Sequence, residues 1–274
     1  AASDVYKRQV LVRAGVVCAA LRAFSVTYDE RQSISGRPCL RVQMTDALTD
    51  VHQATRAGVA LGRVPVGVAD DAHQVAVSMD CATVLVGGSP GSGKSIAVWS
   101  LLLGALRDPR TALVVLDLKP AAIESAALHA RAEIVADTST AALAALQRIW
   151  AYIEQTNRVL LARGLAKVTQ EFPRIVIVVD EAAELAFDDD GKSAALLLQR
   201  IVAVGRASGV SVIMATQKPS GSVIPTDLRD LFGQRLCFRV GNRAQAETVL
   251  GPLAPGVEPW LISPETPGVG FGAG

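Results

Sequence analysis

The sequence predicts an α/β protein in which helices flank a mostly parallel central sheet. From about residue 64 onward, short runs of β-branched residues alternate with longer segments rich in alanine and leucine. The short runs lack polar alternation, which is typical of strands covered on both faces, and strands separated by helices pair in parallel through βαβ crossovers. A chain of 274 residues that is 50% hydrophobic is also long and apolar enough to bury a large core.

The predicted elements of this region begin with a hairpin over residues 65–78. Strands are predicted next at residues 83–86, 113–116, 175–179, 210–214 and 236–240, each a mainly apolar run. Helices are predicted between them at residues 95–106, 120–128, 140–163 and 194–207, where alanine and leucine are frequent. Ligands of such sheets bind beyond the carboxyl ends of the strands, so functional residues are expected at that edge.

The first 62 residues do not follow this rhythm. Residues 1–9 match no periodic pattern, and we expect a foreign or disordered terminus there. Residues 45–62 carry apolar side chains near helical spacing, after a turn-rich break at residues 33–38. We therefore expect residues 10–62 to be part of a small appended α+β subdomain, residues 63–274 to form one α/β domain, and the whole to be a fragment of a longer protein.

Composition excludes several classes of function. The 27 Lys and Arg against 26 Asp and Glu exclude a protein that grips nucleic acid over its whole surface, so an anionic partner must be held locally. The sequence has no apolar run of about 18 residues and no signal peptide pattern, and a cytoplasmic location is expected for this segment. The 4 cysteines have no CxxC spacing and the 3 histidines lie far from them, which excludes metal and redox motifs.

Residues 88–95 match the GxxxxGK[ST] phosphate-binding loop without a mismatch, between a predicted strand and a predicted helix. Glycines let the backbone turn its N–H groups toward phosphate oxygens, and the following helix presents its positive end to the same anion. Lys94 is predicted to reach the β and γ phosphates of ATP, and Ser95 to ligate Mg²⁺. The alternative is a turn without a ligand. The predicted nucleotide contacts are Gly88, Ser89, Pro90, Gly91, Ser92, Gly93, Lys94, Ser95 and Ile96.

A second motif, which is acidic, accompanies this loop. Five apolar residues precede Asp180 and Glu181, which places both carboxylates at the carboxyl end of a predicted strand. Asp180 is predicted to hold the metal, and Glu181 to orient and deprotonate the attacking water, which favours hydrolysis over nucleotide storage. The alternative is an acidic pair that complements the positive end of a helix.

Two rival classes of P-loop protein are disfavoured. A GTPase needs an Asn-Lys-x-Asp motif to read its base, and no Asn-Lys dipeptide occurs in the chain. A small-molecule kinase carries an arginine-rich lid, whereas the segment after Glu181 is acidic. The class that remains is a RecA-like P-loop NTPase, an ATPase of the motor type.

The segment from Ile201 to Val240 contains the patterns GRAxGxxxxxATQxPS, over residues 205–220, and RxxFRV, over residues 235–240. With these patterns it resembles the FtsK/SpoIIIE family of double-stranded DNA translocases. Residues 114–120, Val-Val-Leu-Asp-Leu-Lys-Pro, are similar to another strand of that family, and residues 267–271 to its closing strand. The resemblance covers about residues 62–272.

The resemblance implies a ring-forming motor of six subunits that hydrolyses ATP at subunit interfaces and moves double-stranded DNA in conjugative transfer or chromosome segregation. It implies that Gln217 senses the γ-phosphate and that Arg206 acts across the subunit interface. The alternatives are a strand-end hydrogen bond to the Asp180–Glu181 pair for Gln217, and a solvated helix-end arginine for Arg206. Membrane-anchoring regions outside this sequence are also implied.

The charge is skewed toward one block of the sequence. Residues 200–243 contain seven basic and two acidic residues. In a ring, this block would line a channel with positive charge, and the alternative is a set of scattered salt bridges at the subunit interfaces. Two other functions stay open: an ATPase of the same superfamily that moves protein, as in type VII secretion, and a non-catalytic nucleotide-binding subunit.

Overall fold

The computed structural model describes residues 25–28, 40–43, 63–70, 73–119 and 126–274. The terminus at residues 1–9, the helix expected at residues 45–62 and most of the appended subdomain lie outside these residues. The chain divides into two compact units, one formed by Ala1–Gln53 and Gly67–Val75 and the other by Ala54–Val66 and Ala76–Gly274. Strands β1 (Ser25–Tyr28) and β2 (Leu40–Gln43) pair antiparallel, and β3 (Arg63–Val68) and β4 (Gln74–Ser78) form the expected two-stranded sheet.

A seven-stranded sheet, as the described residues define it, forms the centre of the larger unit. Its strand order is β11-β10-β5-β9-β8-β6-β7, and only β11 pairs antiparallel to its neighbour among these strands. The mostly parallel sheet predicted from the apolar runs is therefore confirmed. The strands are β5 (Thr83–Gly87), β6 (Thr111–Leu116), β7 (Ile134–Ala136), β8 (Arg174–Val179), β9 (Val210–Thr216), β10 (Gln234–Phe238) and β11 (Gly270–Ala273).

The helices begin where local capping allows. The side chain of Thr138 accepts a hydrogen bond from the N–H of Ala141 at the start of the longest helix, and Asp188 does the same for Gly191 at the start of the next. The helices are α1 (Lys94–Ala105), α2 (Ala126–His129), α3 (Ser139–Ala162), α4 (Asp189–Val204), α5 (Thr226–Arg229) and α6 (Arg243–Leu250).

The core lies on both faces of the sheet. Successive residues of a strand point to opposite faces, so Leu85 packs in the cluster that contains α3 and α4, whereas Val84 and Val86 pack in the cluster that contains α1. Every residue of β5 and β9 is buried. This two-sided burial explains why these strands read as continuous apolar runs.

Several boundaries differ from the sequence prediction. The helix predicted at residues 194–207 begins earlier, because Asp188 caps it, and gives way to a 3₁₀ turn at Gly205–Ser208 that ends at the left-handed Gly209. The strand predicted at residues 236–240 begins two residues earlier and ends at Phe238. Of the helix predicted at residues 120–128, residues 126–129 are described and are helical. No helix among the described residues is long and apolar enough to cross a membrane.

Candidate nucleotide-binding site

The predicted site residues gather at one edge of the sheet because the strands that carry them are parallel. The phosphate-binding loop leaves the carboxyl end of β5, and Gln217 leaves that of the neighbouring β9. Asp180 and Glu181 follow β8, the next strand in the order. Strands that are up to 123 residues apart in the sequence thus bring one lysine, two carboxylates and one amide to the same edge.

The loop itself has the conformation that its glycines permit. Gly91 and Gly93 have φ angles of 70° and 99°, in the left-handed region that side chains rarely adopt. The N–H of Ser92 donates to Ser89 O at 3.2 Å, which closes the turn. Gly93 precedes α1, where no side chain caps the helix and no acidic residue stands in the first turn. The described N-terminus of α1 is therefore suited to an anion.

Three other segments hold the loop in place. The N–H of Gly88 donates to Thr216 O at 3.1 Å, and the N–H of Ser89 donates to Arg239 O at 2.8 Å. On the other side, the N–H of Gly268 donates to Ser92 O at 2.9 Å. The loop conformation therefore depends on β9, on the end of β10 and on the segment that leads into β11.

Gly93 and Gly268 approach each other closely. A Cβ atom at Gly93 would lie 2.5 Å from the N atom of Gly268 and 2.7 Å from its Cα, whereas a Cβ at Gly91 would meet nothing within 4 Å. Glycine at position 93 is thus required for two reasons, its backbone angle and the backbone of the closing segment. The sequence motif indicates only the first.

The remaining loop residues differ in exposure. The Ser92 side chain is buried and its Oγ has no hydrogen-bond partner among the described residues. Ser95 is half-buried in the first turn of α1. Ile96 is 71% exposed, so its side chain points away from the core that α1 covers.

Two lysines lie against Asp180. Lys119 Nζ donates to Asp180 Oδ2 at 2.6 Å, and Lys94 Nζ lies 3.9 Å from Asp180 Oδ1 and donates to the carbonyl oxygen of Asp180 at 3.5 Å. Burial lowers the pKa of Lys119, but the hydrogen bond and the negative charge of Asp180 outweigh it and raise this pKa above its usual value. The charged form of Lys119 is therefore favoured.

Glu181 is held by strand β9. Its Oε1 accepts from the hydroxyl of Thr216 at 2.6 Å, and its Oε2 accepts from the backbone N–H of Gln217 at 2.8 Å. Glu181 also caps the 3₁₀ turn Ala182–Ala186, because Oε1 accepts from the N–H of Ala183 at 3.4 Å. Two alternatives that the sequence left open are therefore present in the structure. Gln217 makes a hydrogen bond to Glu181, and Glu181 caps the start of a helical turn. The backbone of Gln217 makes its bond, and its half-buried side chain stays available to a ligand.

A further carboxylate lies behind this edge. Asp117 is 1% exposed at the end of β6, and its Oδ2 lies 3.1 Å from His129 Nε2. Its Oδ1 accepts from the backbone N–H of Lys119 at 3.4 Å. Asp117 therefore orders the turn that carries the Lys119 side chain toward Asp180.

Arg206 lies away from the other predicted site residues of its own chain. It is exposed in the 3₁₀ turn that precedes β9, whereas Gln217 follows that strand. Seven residues of strand separate the two positions by roughly 20 Å at the usual rise. The structure thus does not bring Arg206 to the phosphate loop of the same chain.

The basic block of residues 200–243 is divided in the structure. Arg229 and Arg235 lie 2.8 Å and 4.0 Å from Asp230, and Arg243 lies 2.7 Å from Glu247. Arg239 donates to the carbonyl oxygen of Pro90 at 3.3 Å, and Arg200 stacks on Trp150 at 4.3 Å. Three of the seven basic residues therefore make ion pairs within the chain, and one more supports the phosphate loop.

Four residues of this edge escaped the sequence prediction of the site: Lys119, Thr216, Arg239 and Gly268. Lys119 and Thr216 stand within motifs that indicated the family, but no spacing rule connects Lys119 to Asp180, 61 residues away, or Thr216 to Glu181, 35 residues away. Position at a strand end was the one available signal, and it applies to Lys119, Thr216 and Arg239.

The site offers two oxygen donors for a divalent metal, which are fewer than such a metal requires. Among the described residues, no group of three or more His, Cys, Asp or Glu side chains is arranged to hold a metal ion. The Ser95 hydroxyl and the Asp180 carboxylate supply the oxygen donors that Mg²⁺ prefers, and phosphate oxygens and water commonly complete such sites. The residues therefore fit a metal that arrives with a nucleotide.

The sheet, the phosphate loop and the strand-end carboxylates together define a P-loop ATPase. No protein-family model matches the chain. Two solved structures are similar in fold. The conjugation coupling protein TcpA of pCW3, with ATPγS, has a TM-score of 0.68 and 19% identity, over 89% of this chain and 73% of that one. The cytoplasmic domain of the type VII secretion ATPase EccC of Thermomonospora curvata has a TM-score of 0.63 and 21% identity, over 78% of this chain and 27% of that one.

The curated relatives carry the resemblance in sequence. The DNA translocase FtsK of Helicobacter pylori is 28% identical over 183 residues, which are 61% of this chain and 21% of the relative. FtsK of Rickettsia typhi is 40% identical over 81 residues, 30% of this chain and 11% of the relative. The chain thus spans about a fifth or less of the length of these relatives. These relatives confirm the resemblance to the FtsK/SpoIIIE family that the motifs indicated.

Proposed function

We propose that this chain contains the ATP-hydrolysing domain of a ring-forming motor that moves double-stranded DNA. The observation that carries the proposal is the meeting of the phosphate loop with Asp180 and Glu181 at one edge of the sheet. Glu181 is held there by Thr216 and Gln217, on the strand next to its own. We assign the motor to residues 63–274 and an appended role to residues 10–62.

The loop residues 88–96 hold the phosphates of ATP through backbone N–H groups, and Lys94 neutralises the β and γ phosphates. Ser95 and Asp180 hold Mg²⁺, which supplies charge neutralisation on the phosphates when it is bound. Glu181 orients the attacking water and accepts its proton. The side chain of Gln217 contacts the γ-phosphate, and its backbone bond to Glu181 links this contact to the catalytic carboxylate.

The position of Arg206 supports the proposed assembly of subunits into a ring. An arginine near the transferred phosphoryl group stabilises its charge and can change the rate by about 10³ to 10⁵ in other NTPases. Arg206 lies at the opposite edge of its own sheet, so it serves the site of a neighbouring subunit in a homo-oligomeric ring, for which we propose six subunits. ATP hydrolysis then requires assembly, and the activity per subunit rises with protein concentration.

Duplex DNA is the proposed cargo because the curated relatives that match in sequence are named DNA translocases. The exposed side chains of Arg206 and Lys218 make no ion pair or hydrogen bond with any described residue, so they stay available for phosphate contacts or for a neighbouring subunit. Conjugative transfer and chromosome segregation both use such a motor. Regions outside this sequence would provide a membrane anchor.

The test is a steady-state ATPase assay with and without duplex DNA, at several salt concentrations. We expect duplex DNA of any sequence to raise the ATPase rate, and the stimulation to fall as salt rises, because phosphate contacts release counterions. The variant Glu181→Gln serves as a control for contaminating ATPases. An ATPase that duplex DNA neither binds nor stimulates would contradict the proposed cargo.

The alternative cargo is protein, and the fold similarity to the secretion ATPase EccC is the observation that favours it. A protein-moving ATPase would keep its site and its dependence on assembly but would not respond to DNA. A chain that binds nucleotide and does not hydrolyse it, with or without DNA, would instead be a non-catalytic subunit.

A further inference from the structure

The side chain of Lys119 lies where the proposed metal-binding carboxylate is to act. Its ammonium nitrogen is 2.6 Å from Asp180 Oδ2, while Lys94 approaches Oδ1 to 3.9 Å. Each oxygen of the carboxylate therefore faces a cation of the protein. The sequence motif of the phosphate loop accounts for Lys94 but gives no role to Lys119.

The fold brings Lys119 to this position from a different strand. Strand β6 pairs in parallel with β8, and Leu116 is opposite Val179 in the register. The residues that follow the two strands are thus neighbours across about one strand spacing, close to 5 Å. The buried carboxylate of Asp117 fixes the turn that follows β6, because its Oδ1 accepts a hydrogen bond from the backbone N–H of Lys119.

The contact is partly shielded from water. The side chains of Lys119 and Asp180 are 26% and 25% exposed, so solvent screens this ion pair less than it screens a pair on the open surface. An ion pair of this kind is a stable arrangement of the site without a metal.

The Asp180 carboxylate cannot bind the Lys119 ammonium and a divalent cation at full strength at the same time. A metal beside Asp180 would place two further positive charges close to the Lys119 ammonium, and like charges at that distance repel strongly in a partly buried site. Lys94 is expected to turn to the phosphates, but Lys119 has its shortest contact with the carboxylate itself. Resting on the proposed function, the metal must therefore compete with Lys119.

We infer that Lys119 is a positioning residue that occupies Asp180 until Mg²⁺ arrives with the nucleotide, and that it thereby sets the Mg²⁺ concentration needed to hold the nucleotide. Displaced from Asp180, the flexible lysine side chain moves toward solvent or toward the phosphates. Lys119 also offsets part of the negative charge of this edge when no nucleotide is bound.

The test measures the binding of a fluorescent ATP analogue as Mg²⁺ is titrated from EDTA to excess. The variant Lys119→Met removes the charge and keeps most of the apolar stem, and Lys119→Gln is the second variant if the first is poorly folded. Lys167→Met is the matched control, since it removes the same charge at an exposed position in the loop between α3 and β8. Lys119→Arg keeps the charge at the original position.

The expected result is that Lys119→Met lowers the Mg²⁺ concentration for half-maximal binding by about three- to tenfold, the range between an exposed and a buried ion pair. Binding in EDTA stays within about twofold of the parent, and Lys167→Met and Lys119→Arg behave like the parent. In an Asp180→Asn background the effect of Lys119→Met disappears, because the two side chains then no longer compete with the metal.

Three results would overturn the inference without contradicting the proposed function. An unchanged Mg²⁺ midpoint would show that Lys119 does not compete, and a shift that persists with Asp180→Asn would show that it acts elsewhere. Weaker binding of Lys119→Met in EDTA would make Lys119 a direct phosphate ligand. If the parent protein binds no nucleotide at any Mg²⁺ concentration, the proposed function itself fails and this inference fails with it.

Discussion

The contact between Gly93 and Gly268 gives a prediction whose size can be worked out from the structure. Gly93→Ala and Gly91→Ala introduce the same methyl group at two loop positions with positive φ angles, 99° and 70°. The difference between them is the surroundings. The new Cβ at position 93 would lie 2.5 Å from Gly268 N, and the one at position 91 would lie in open space.

Both variants share the penalty of placing a side chain in the left-handed region, about 1–2 kcal/mol. Gly93→Ala additionally pushes the backbone of residues 267–268 away and weakens the 2.9 Å hydrogen bond from Gly268 N to Ser92 O. Overpacking costs about 1–3 kcal/mol, and a lost hydrogen bond about 1 kcal/mol. We therefore expect Gly93→Ala to be less stable than Gly91→Ala by about 2–4 kcal/mol.

The assay is thermal unfolding without nucleotide, so that the contacts of the loop with phosphate do not enter. A difference of 2–4 kcal/mol corresponds to a difference in Tm of roughly 4–16 °C for a domain of this size. Truncation before residue 263 removes Gly268 and should abolish most of the difference between the two variants. Equal Tm values for Gly93→Ala and Gly91→Ala in the full chain would refute the argument that the closing segment holds the phosphate loop.

Three further predictions concern catalysis. Thr216→Val removes the hydroxyl that donates to Glu181 at 2.6 Å, and it should lower kcat about tenfold with little change in KM. Thr216→Ser should keep the parental rate. An unchanged kcat in Thr216→Val would show that this hydrogen bond has only a structural role. Glu181→Gln should retain ATP binding in a filter assay and slow hydrolysis by about 10² to 10⁴, and hydrolysis at the parental rate would exclude Glu181 as the base. Lys94→Ala and Arg206→Ala should each be inactive alone, yet their mixture should regain ATPase activity, because some interfaces then pair an intact Lys94 with an intact Arg206. A mixture without activity would contradict an arginine supplied by the neighbour.

The positions of most elements could be predicted because they depend on local pattern. The apolar runs that become β5, β8 and β9 are buried on both faces, so their composition alone identifies them. The short edge strand β7, Ile134–Ala136, was missed because three residues carry too little pattern to be distinguished from a loop. The start of α4 was misplaced because the acidic residues Asp189 and Asp190 read as a polar segment, although acidic residues stabilise the first turn of a helix.

The residues of the candidate site likewise divide into those that local motifs predicted and those that only the fold brings together. Lys94, Ser95, Asp180 and Glu181 were identified from contiguous motifs, in which the spacing along the chain is also the spacing in the site. The three segments that hold the phosphate loop could not be predicted, since they come from β9, β10 and the approach to β11. Their proximity depends on the strand order, which no local pattern encodes.

The sequence by itself determined which chemistry is proposed for this protein, namely a loop for phosphate, a carboxylate proposed to bind metal and a carboxylate proposed to activate water, both at the end of a buried strand, because each of these motifs consists of neighbouring residues. The tertiary structure alone decided that Lys119 pairs with Asp180, that Thr216 holds Glu181 and that Arg206 lies at the opposite edge from its own phosphate loop. The physical reason is that parallel pairing places the ends of distant strands side by side, and only the order and direction of the strands fix which side chains meet.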